Sequence, residues 1–128
     1  MKKELPSCTV QITLSLLDNK WKMLIIGEIM FEGTQRFNQL RKALPGISQK
    51  VLTQNLRTLE TSGLIYREVF AEVPPRVEYS LTELGSSLKP IIDAMMKWGE
   101  NYRDNWFETL PERTKNTCNI GVNNRHEA

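Results

Sequence analysis

The dipeptide Pro45-Gly46 limits what this chain can become more than any other feature, because helical patterns stand on both sides and neither can run through it. Proline disfavours the α region in the residue before it, and glycine takes unusual backbone angles at little steric cost. On the amino side, Leu40, Ala43 and Leu44 follow helical spacing, with Asn38 placed to open the helix. On the carboxyl side, Ser48 is a natural N-cap, and Ile47 is set to pack on Leu52 as a hydrophobic staple. Residues 36–62 therefore read as two helices joined by a sharp turn. The second helix places Val51, Leu52, Leu56 and Leu59 on one side and Gln49, Lys50, Thr53, Gln54 and Arg57 on the other.

That polar side holds two amides, two cations and a hydroxyl, with no carboxylate before Glu60. Glutamine makes paired hydrogen bonds to adenine, arginine and lysine reach guanine or phosphate, and threonine offers both a hydroxyl and a methyl. A helix-turn-helix uses its second helix in this way, laid in the DNA major groove. The alternative is a helix face that merely keeps the protein soluble. On this helix alone the two readings stand level.

Charge distribution favours the first. The formal net charge of +2 is too small to imply nucleic acid by itself. Between Thr34 and Arg67, however, six bases (Arg36, Arg41, Lys42, Lys50, Arg57, Arg67) face a single acid, Glu60. From Glu68 to Glu100 the balance reverses to six acids against three bases. A locally basic surface on a near-neutral protein is what attraction to phosphate requires.

Upstream, Asp18 or Asn19 is positioned to cap an apolar helix that ends at Gly33. Trp21, residues 23–26, Ile29 and Met30 cover nearly its whole circumference, which predicts a central place in the core. Residues 34–37 are expected as an extended link, with Arg36 either facing phosphate or serving as an ordinary surface residue. Residues 9–17 are ambiguous: Val10, Ile12, Leu14 and Leu16 alternate as in a strand, while Val10, Leu14 and Leu17 also share a helical face.

Downstream, Ser62-Gly63 ends the second helix, and residues 64–73 and 76–81 form a β-hairpin interrupted by Pro74-Pro75. Helix-turn-helix followed by such a hairpin is a winged helix, mainly α with a small β wing. Arg76, close to the hairpin tip, either enters the minor groove or is an exposed cation without a partner. Thr82 is expected to cap a final helix reaching to about residue 105, with Pro90 bending or locally breaking it. Leu84, Leu88, Ile91, Ile92, Met95, Trp98, Tyr102 and Trp106 make a stripe at three- and four-residue steps. A box for a small molecule is one use of this Met- and Trp-containing stripe. Packing in the core or on a second subunit is the commoner one.

At 128 residues a single domain is expected, with residues 1–108 forming it and 109–128 a polar, mobile tail. The chain shows no signal peptide and no membrane-length apolar run, so a cytoplasmic location and no membrane partner are expected. Cys8 and Cys118 lie near opposite ends, and a structural disulfide is not expected in a reducing compartment. The single histidine, His126, sits in the polar tail, and no metal-ligand cluster or phosphate loop is present. Enzymatic chemistry, metals and cofactors are not expected.

The run from Cys8 through DNKWKMLIIGEI, RFNQLRKALPGISQKVLTQNLRTLETSGLI and VPPRVEYSLTELGSSL to MKWG resembles the HxlR-type transcriptional regulators across roughly residues 8–100. The resemblance implies a winged helix working as a homodimer on double-stranded DNA, with the first and last helices forming most of the interface. It decides residues 9–17 in favour of helix. The expected interface residues are Val10, Leu14, Leu17, Ile92, Met95, Trp98, Tyr102 and Trp106. On an inverted-repeat operator, Gln49, Thr53, Gln54 and Arg57 would read bases, with Ser48 beside them. Lys50, Arg36 and Arg41 would meet phosphates, with Arg76 in the wing. The competing function is a winged helix used only as a protein-interaction module.

Members of that family commonly carry a cysteine before the first helix, and in several it senses oxidants or electrophiles. Cys8 occupies the position, although the usual following proline is replaced in Cys8-Thr9-Val10-Gln11. A helix N-terminus stabilises a thiolate, the reactive form. Cys8 is therefore either a redox sensor or an inert residue packed at the interface. Cys118 is a candidate to trap an oxidised Cys8 as a disulfide. A small molecule held at the dimer interface is the alternative signal.

Overall fold

The boundaries of the helices Lys20–Glu32 and Gln49–Thr61, and the starts of Phe37–Ala43 and Glu83–Ser86, are set by side chains that satisfy the backbone at a helix end or by glycines with a positive φ. The computed structural model describes residues 4–111. They fall into two units, one running to Ser87 and one starting at Leu88.

The first unit opens with α1 (Thr9–Leu16), which follows Cys8 as its N-cap residue. Residues 9–17 are thus helical rather than extended. Val10, Leu14 and Leu16 are exposed on α1, while Leu17, just past its end, is buried. Helix α2 (Lys20–Glu32) is capped by Asn19, whose side-chain oxygen accepts from the Lys22 N–H at 3.1 Å. It stops at Gly33, where φ is 84°. Asp18, the other candidate cap, instead holds the Lys22 ammonium at 2.6 Å. Burial in α2 is narrower than the apolar run suggests. Ile25, Ile26 and Ile29 are buried together with Lys22, whereas Trp21, Met23, Leu24 and Met30 are only half-buried.

Residues 35 and 36 are a short strand, β1 (Gln35–Arg36), and not only a link. Helix α3 (Phe37–Ala43) starts one residue earlier than Asn38 would have set it. The Gln39 side chain accepts from the Arg36 N–H at 2.8 Å, so an amide reaching back from within the first turn fixes this end. After the turn, in which Gly46 has φ 87°, comes α4 (Gln49–Thr61). Its cap is Ser48, whose Oγ accepts from the Val51 N–H at 3.1 Å. Gly63, with φ 80°, closes α4 by donating to the Glu60 carbonyl while Leu64 donates to Leu59.

The hairpin consists of β2 (Ile65–Phe70) and β3 (Arg76–Leu81), paired antiparallel from Ile65 opposite Leu81 to Phe70 opposite Arg76. Strand β1 adds to the other edge of β3, with Arg36 opposite Glu78, giving the order β1-β3-β2. Helix α2 packs on α4 and β3, and α4 on β2. Ile25, Ile26, Leu40, Leu52, Leu59 and Ile65 are fully buried there. Each such side chain stabilises the fold by about 1.5–3 kcal/mol relative to leaving it exposed. The arrangement is a winged helix.

Thr82 caps only the short α5 (Glu83–Ser86), accepting from the Gly85 N–H and donating to the Gly63 carbonyl at 2.6 Å. Gly85 is buried, and a β-carbon there would collide with the Leu64 carbonyl. The second unit carries α6 (Lys89–Asn101), extended by a π-helical turn over Tyr102–Trp106 and a 3₁₀ turn over Phe107–Thr109. The expected helix from Thr82 is therefore not continuous: of the bend or break expected at Pro90, the structure shows a break, placed just before Lys89. Pro90 stands in the first turn of α6, where the missing N–H costs nothing because that donor would have no partner inside the helix. The Trp98 and Tyr102 rings stack at 5.6 Å with planes 11° apart.

Candidate nucleic-acid interface

Helix α4 is oriented by what it buries. Leu52, Leu56 and Leu59 face the core, and Gln49, Lys50, Gln54 and Arg57 are exposed on the far side. Thr53 is half-buried and its hydroxyl donates to the Gln49 carbonyl at 2.8 Å. Val51, expected on the apolar side, is half-buried. Among the described residues, Lys50 and Arg57 make no ion pair, so their charge is not neutralised locally. Arg41 and Lys42 stand exposed in the last turn of α3, where cations favour the helix end. Arg36 is exposed on β1.

The wing is different. Arg76 Nη1 lies 3.4 Å from Glu72 Oε1, and its Nε lies 3.3 Å from Glu78 Oε2. Its guanidinium carbon stands 4.1 Å from the centre of the Phe70 ring. The side chain is 28% exposed. Arg76 is therefore not a cation without a partner, and it begins β3 instead of projecting from the tip. The sequence could not show this, since pairing depends on hairpin register. The exposed basic residue of the wing is Arg67 on β2.

Two residues near α4 were missed. Lys42 simply continues the basic end of α3. Asn55 is buried in the middle of the leucines of α4, donating to the Val51 carbonyl at 2.8 Å and accepting from Asn19 Nδ2 at 3.0 Å. Its position, three residues after Leu52 and four before Leu59, was the available signal that it shares their face.

Cys8 is exposed at the start of α1, and its carbonyl accepts from the Ile12 N–H at 3.1 Å. Cys118 and His126 lie outside the described residues. The hydrogen bond from the Lys22 ammonium, and then its charge, hold the Asp18 carboxyl below its ordinary range. In the second unit, Met95, Trp98 and Trp106 are exposed, Tyr102 is half-buried and Ile92 is buried. A cleft of about 420 Å³ is lined by Trp98, Asn101, Tyr102, Trp106 and Leu110. No described helix is long and apolar enough to cross a membrane.

A family model described as HxlR-like helix-turn-helix matches residues 16–106. The chain belongs to the HxlR family. Within it, the HTH-type transcriptional regulator YdeP of Bacillus subtilis (strain 168) is 48% identical over 97 residues, covering 76% of this chain and 75% of its own. The redox regulator HypR in its reduced form superposes with a TM-score of 0.71 at 46% identity, over 76% of this chain and 95% of that one. The reduced form of the transcriptional regulator YodB from B. subtilis gives a TM-score of 0.65 at 32% identity, over 78% of this chain and 97% of its own. This HxlR-family chain is a transcriptional regulator built on a helix-turn-helix DNA-binding fold. It is not an enzyme: the family and these neighbours are regulators.

Proposed function

We propose that the protein is a sequence-specific, dimeric DNA-binding regulator that works in the cytoplasm on an inverted-repeat operator. The observation that carries this reading is the exposed face of α4, where amides and locally unneutralised cations stand together with no carboxylate before Glu60. Gln49, Thr53, Gln54 and Arg57 read base edges, and Lys50, Arg41 and Arg36 hold phosphates, with Ser48 fixing where the helix begins. Two-fold symmetry sets the half-sites about 34–36 Å apart. The exposed apolar residues Val10 and Leu14 of α1, Met95 and Trp98 of α6 and Trp106 of the π-helical turn supply the dimer contacts. Arg76 assists from the wing only after exchanging Glu72 or Glu78 for phosphate, so its contribution is smaller than that of Arg57.

Duplexes selected from a random pool by the wild-type protein provide the test. Gln54→Ala shifts preference at defined base pairs of the selected site. If Gln54→Ala and Arg57→Ala selected and footprinted the same site as the wild type, α4 would not be the reading element.

The signal is read by Cys8. Its exposure at the head of α1 and the likeness to HypR, a redox regulator solved in reduced and oxidised forms, support this choice. An oxidant such as hypochlorite takes two electrons from the thiolate and leaves a sulfenic acid. Cys8→Ser abolishes release of DNA by diamide, a quinone or hypochlorite. Unchanged release in the variant would remove Cys8 from the sensing role.

A further inference from the structure

We infer that Asn19 and Asn55 are positioning residues for the DNA-reading helix: their side-chain hydrogen bond pins α4 to the amino end of α2 and sets the rotation at which α4 presents its polar face. The inference rests on the reading of α4 as the groove-contacting element and goes beyond it by naming what aims that element.

Four observations support it. Asn55 is only 6% exposed, a polar residue among the buried leucines of α4. Its amide is divided between two tasks, with Nδ2 donating to the Val51 carbonyl at 2.8 Å and Oδ1 accepting from Asn19 Nδ2 at 3.0 Å. Asn19 is equally committed, because its Oδ1 caps α2 by accepting from the Lys22 N–H at 3.1 Å. Finally, Lys22 is itself buried and tied to Asp18 at 2.6 Å, so the end of α2 that carries Asn19 is anchored on both sides.

The sense of the central bond follows from its ends. A backbone donor fixes the Asn19 amide in one orientation, and a backbone acceptor fixes the Asn55 amide in the other. Neither can flip without losing a main-chain partner. Leucine packing alone holds a helix at a given depth but is non-directional, and it tolerates small rotations about the helix axis. A hydrogen bond does not, because it weakens steeply as its angle closes. Asn55 is buried while Gln54 and Arg57, within two residues of it on the same rigid helix, are exposed, so fixing its azimuth fixes theirs. Burying an amide in place of another leucine costs stability unless it is fully bonded. Here it is bonded at both ends.

The test uses the full chain with two probes: the duplex enriched from a random pool by the wild-type protein, and a random-sequence duplex of equal length. Asn19→Ser keeps an oxygen to cap α2 but removes the Nδ2 group that reaches Asn55. Asn55→Ala removes the acceptor. Each variant is expected to lose about ten-fold in the preference for the enriched duplex over the random one, the scale of one impaired base contact. Binding to the random duplex should change little. The double variant should do no worse than the poorer single one, because both substitutions break the same link. Circular dichroism and thermal melting are recorded alongside, so that preference is compared only between folded proteins. If the variants melt earlier but keep the wild-type preference, the pair is structural only and the inference is overturned. Additive losses in the double variant overturn it too. If the wild type itself shows no preference that depends on Gln54 or Arg57, the reading of α4 fails instead, and the two failures are told apart.

Discussion

Helices α4 and α6 are each thirteen residues long and both are strongly two-faced, yet they spend their faces in opposite ways. Helix α4 buries Leu52, Leu56 and Leu59 and leaves amides and cations outside. Helix α6 buries Ile92 and leaves Ile91, Met95, Met96 and Trp98 exposed. The difference teaches what each can be for. A helix whose apolar side is consumed by its own core has only polar recognition to offer. A helix with exposed methionine and tryptophan offers apolar area, which is a stable arrangement in water only when another surface covers it. On the function proposed above, the same amphipathic pattern in sequence serves recognition in one place and association in the other.

The largest effect that separates the two helices comes from truncating their apolar sides. Leu59, fully buried, should cost about 2–5 kcal/mol when changed to alanine, read from the midpoint of urea unfolding. Trp98→Ala should leave the protomer folded and shift sedimentation equilibrium from dimer toward monomer. A Trp98 variant that unfolds like the Leu59 variant would erase the distinction. A smaller effect lies at the helix starts. Ser48→Ala should cost about 1 kcal/mol, because its Oγ satisfies the Val51 N–H. At the head of α6, Leu88 makes no side-chain cap bond, so that end has no equivalent bond to lose.

The smallest effect is a pH dependence at the amino end of α2. Lys22 depresses the Asp18 pKa below its ordinary value of 3.8 in the folded protein. The pair's contribution is therefore complete above 3.8 and fades as pH falls through the lower, folded value. In Asp18→Asn the acid limb of the stability curve should be flatter over that window, as measured by thermal melting from pH 5 downward.

Much of the α4 region was legible because its signals are local. Ser48, Pro45-Gly46 and the leucine spacing need only nearest neighbours in sequence, and the structure keeps all three. The hairpin was legible for the same reason. What escaped depends on contacts distant in sequence. Strand β1 is two residues long and has no periodicity of its own, so only pairing with β3 defines it. The Arg76 cage exists because the hairpin folds Glu72, Glu78 and Phe70 around one guanidinium. Asn55 was hidden because a polar letter in a polar-rich helix reads as surface, although its spacing from Leu52 and Leu59 places it inside. At Pro90 the sequence left bend and break open, because apolar residues continue at three- and four-residue steps across the gap between α5 and α6.

The central claim is that the exposed face of α4 meets DNA, and Lys50 tests it most directly. It stands near the helix start, exposed and without an ion pair among the described residues. Affinity for the selected duplex and for a random one should be measured against salt for the wild type and for Lys50→Ala. The account predicts weaker binding to both duplexes and a log–log salt slope shallower by about one unit. An unchanged slope with unchanged affinity on both duplexes would contradict it.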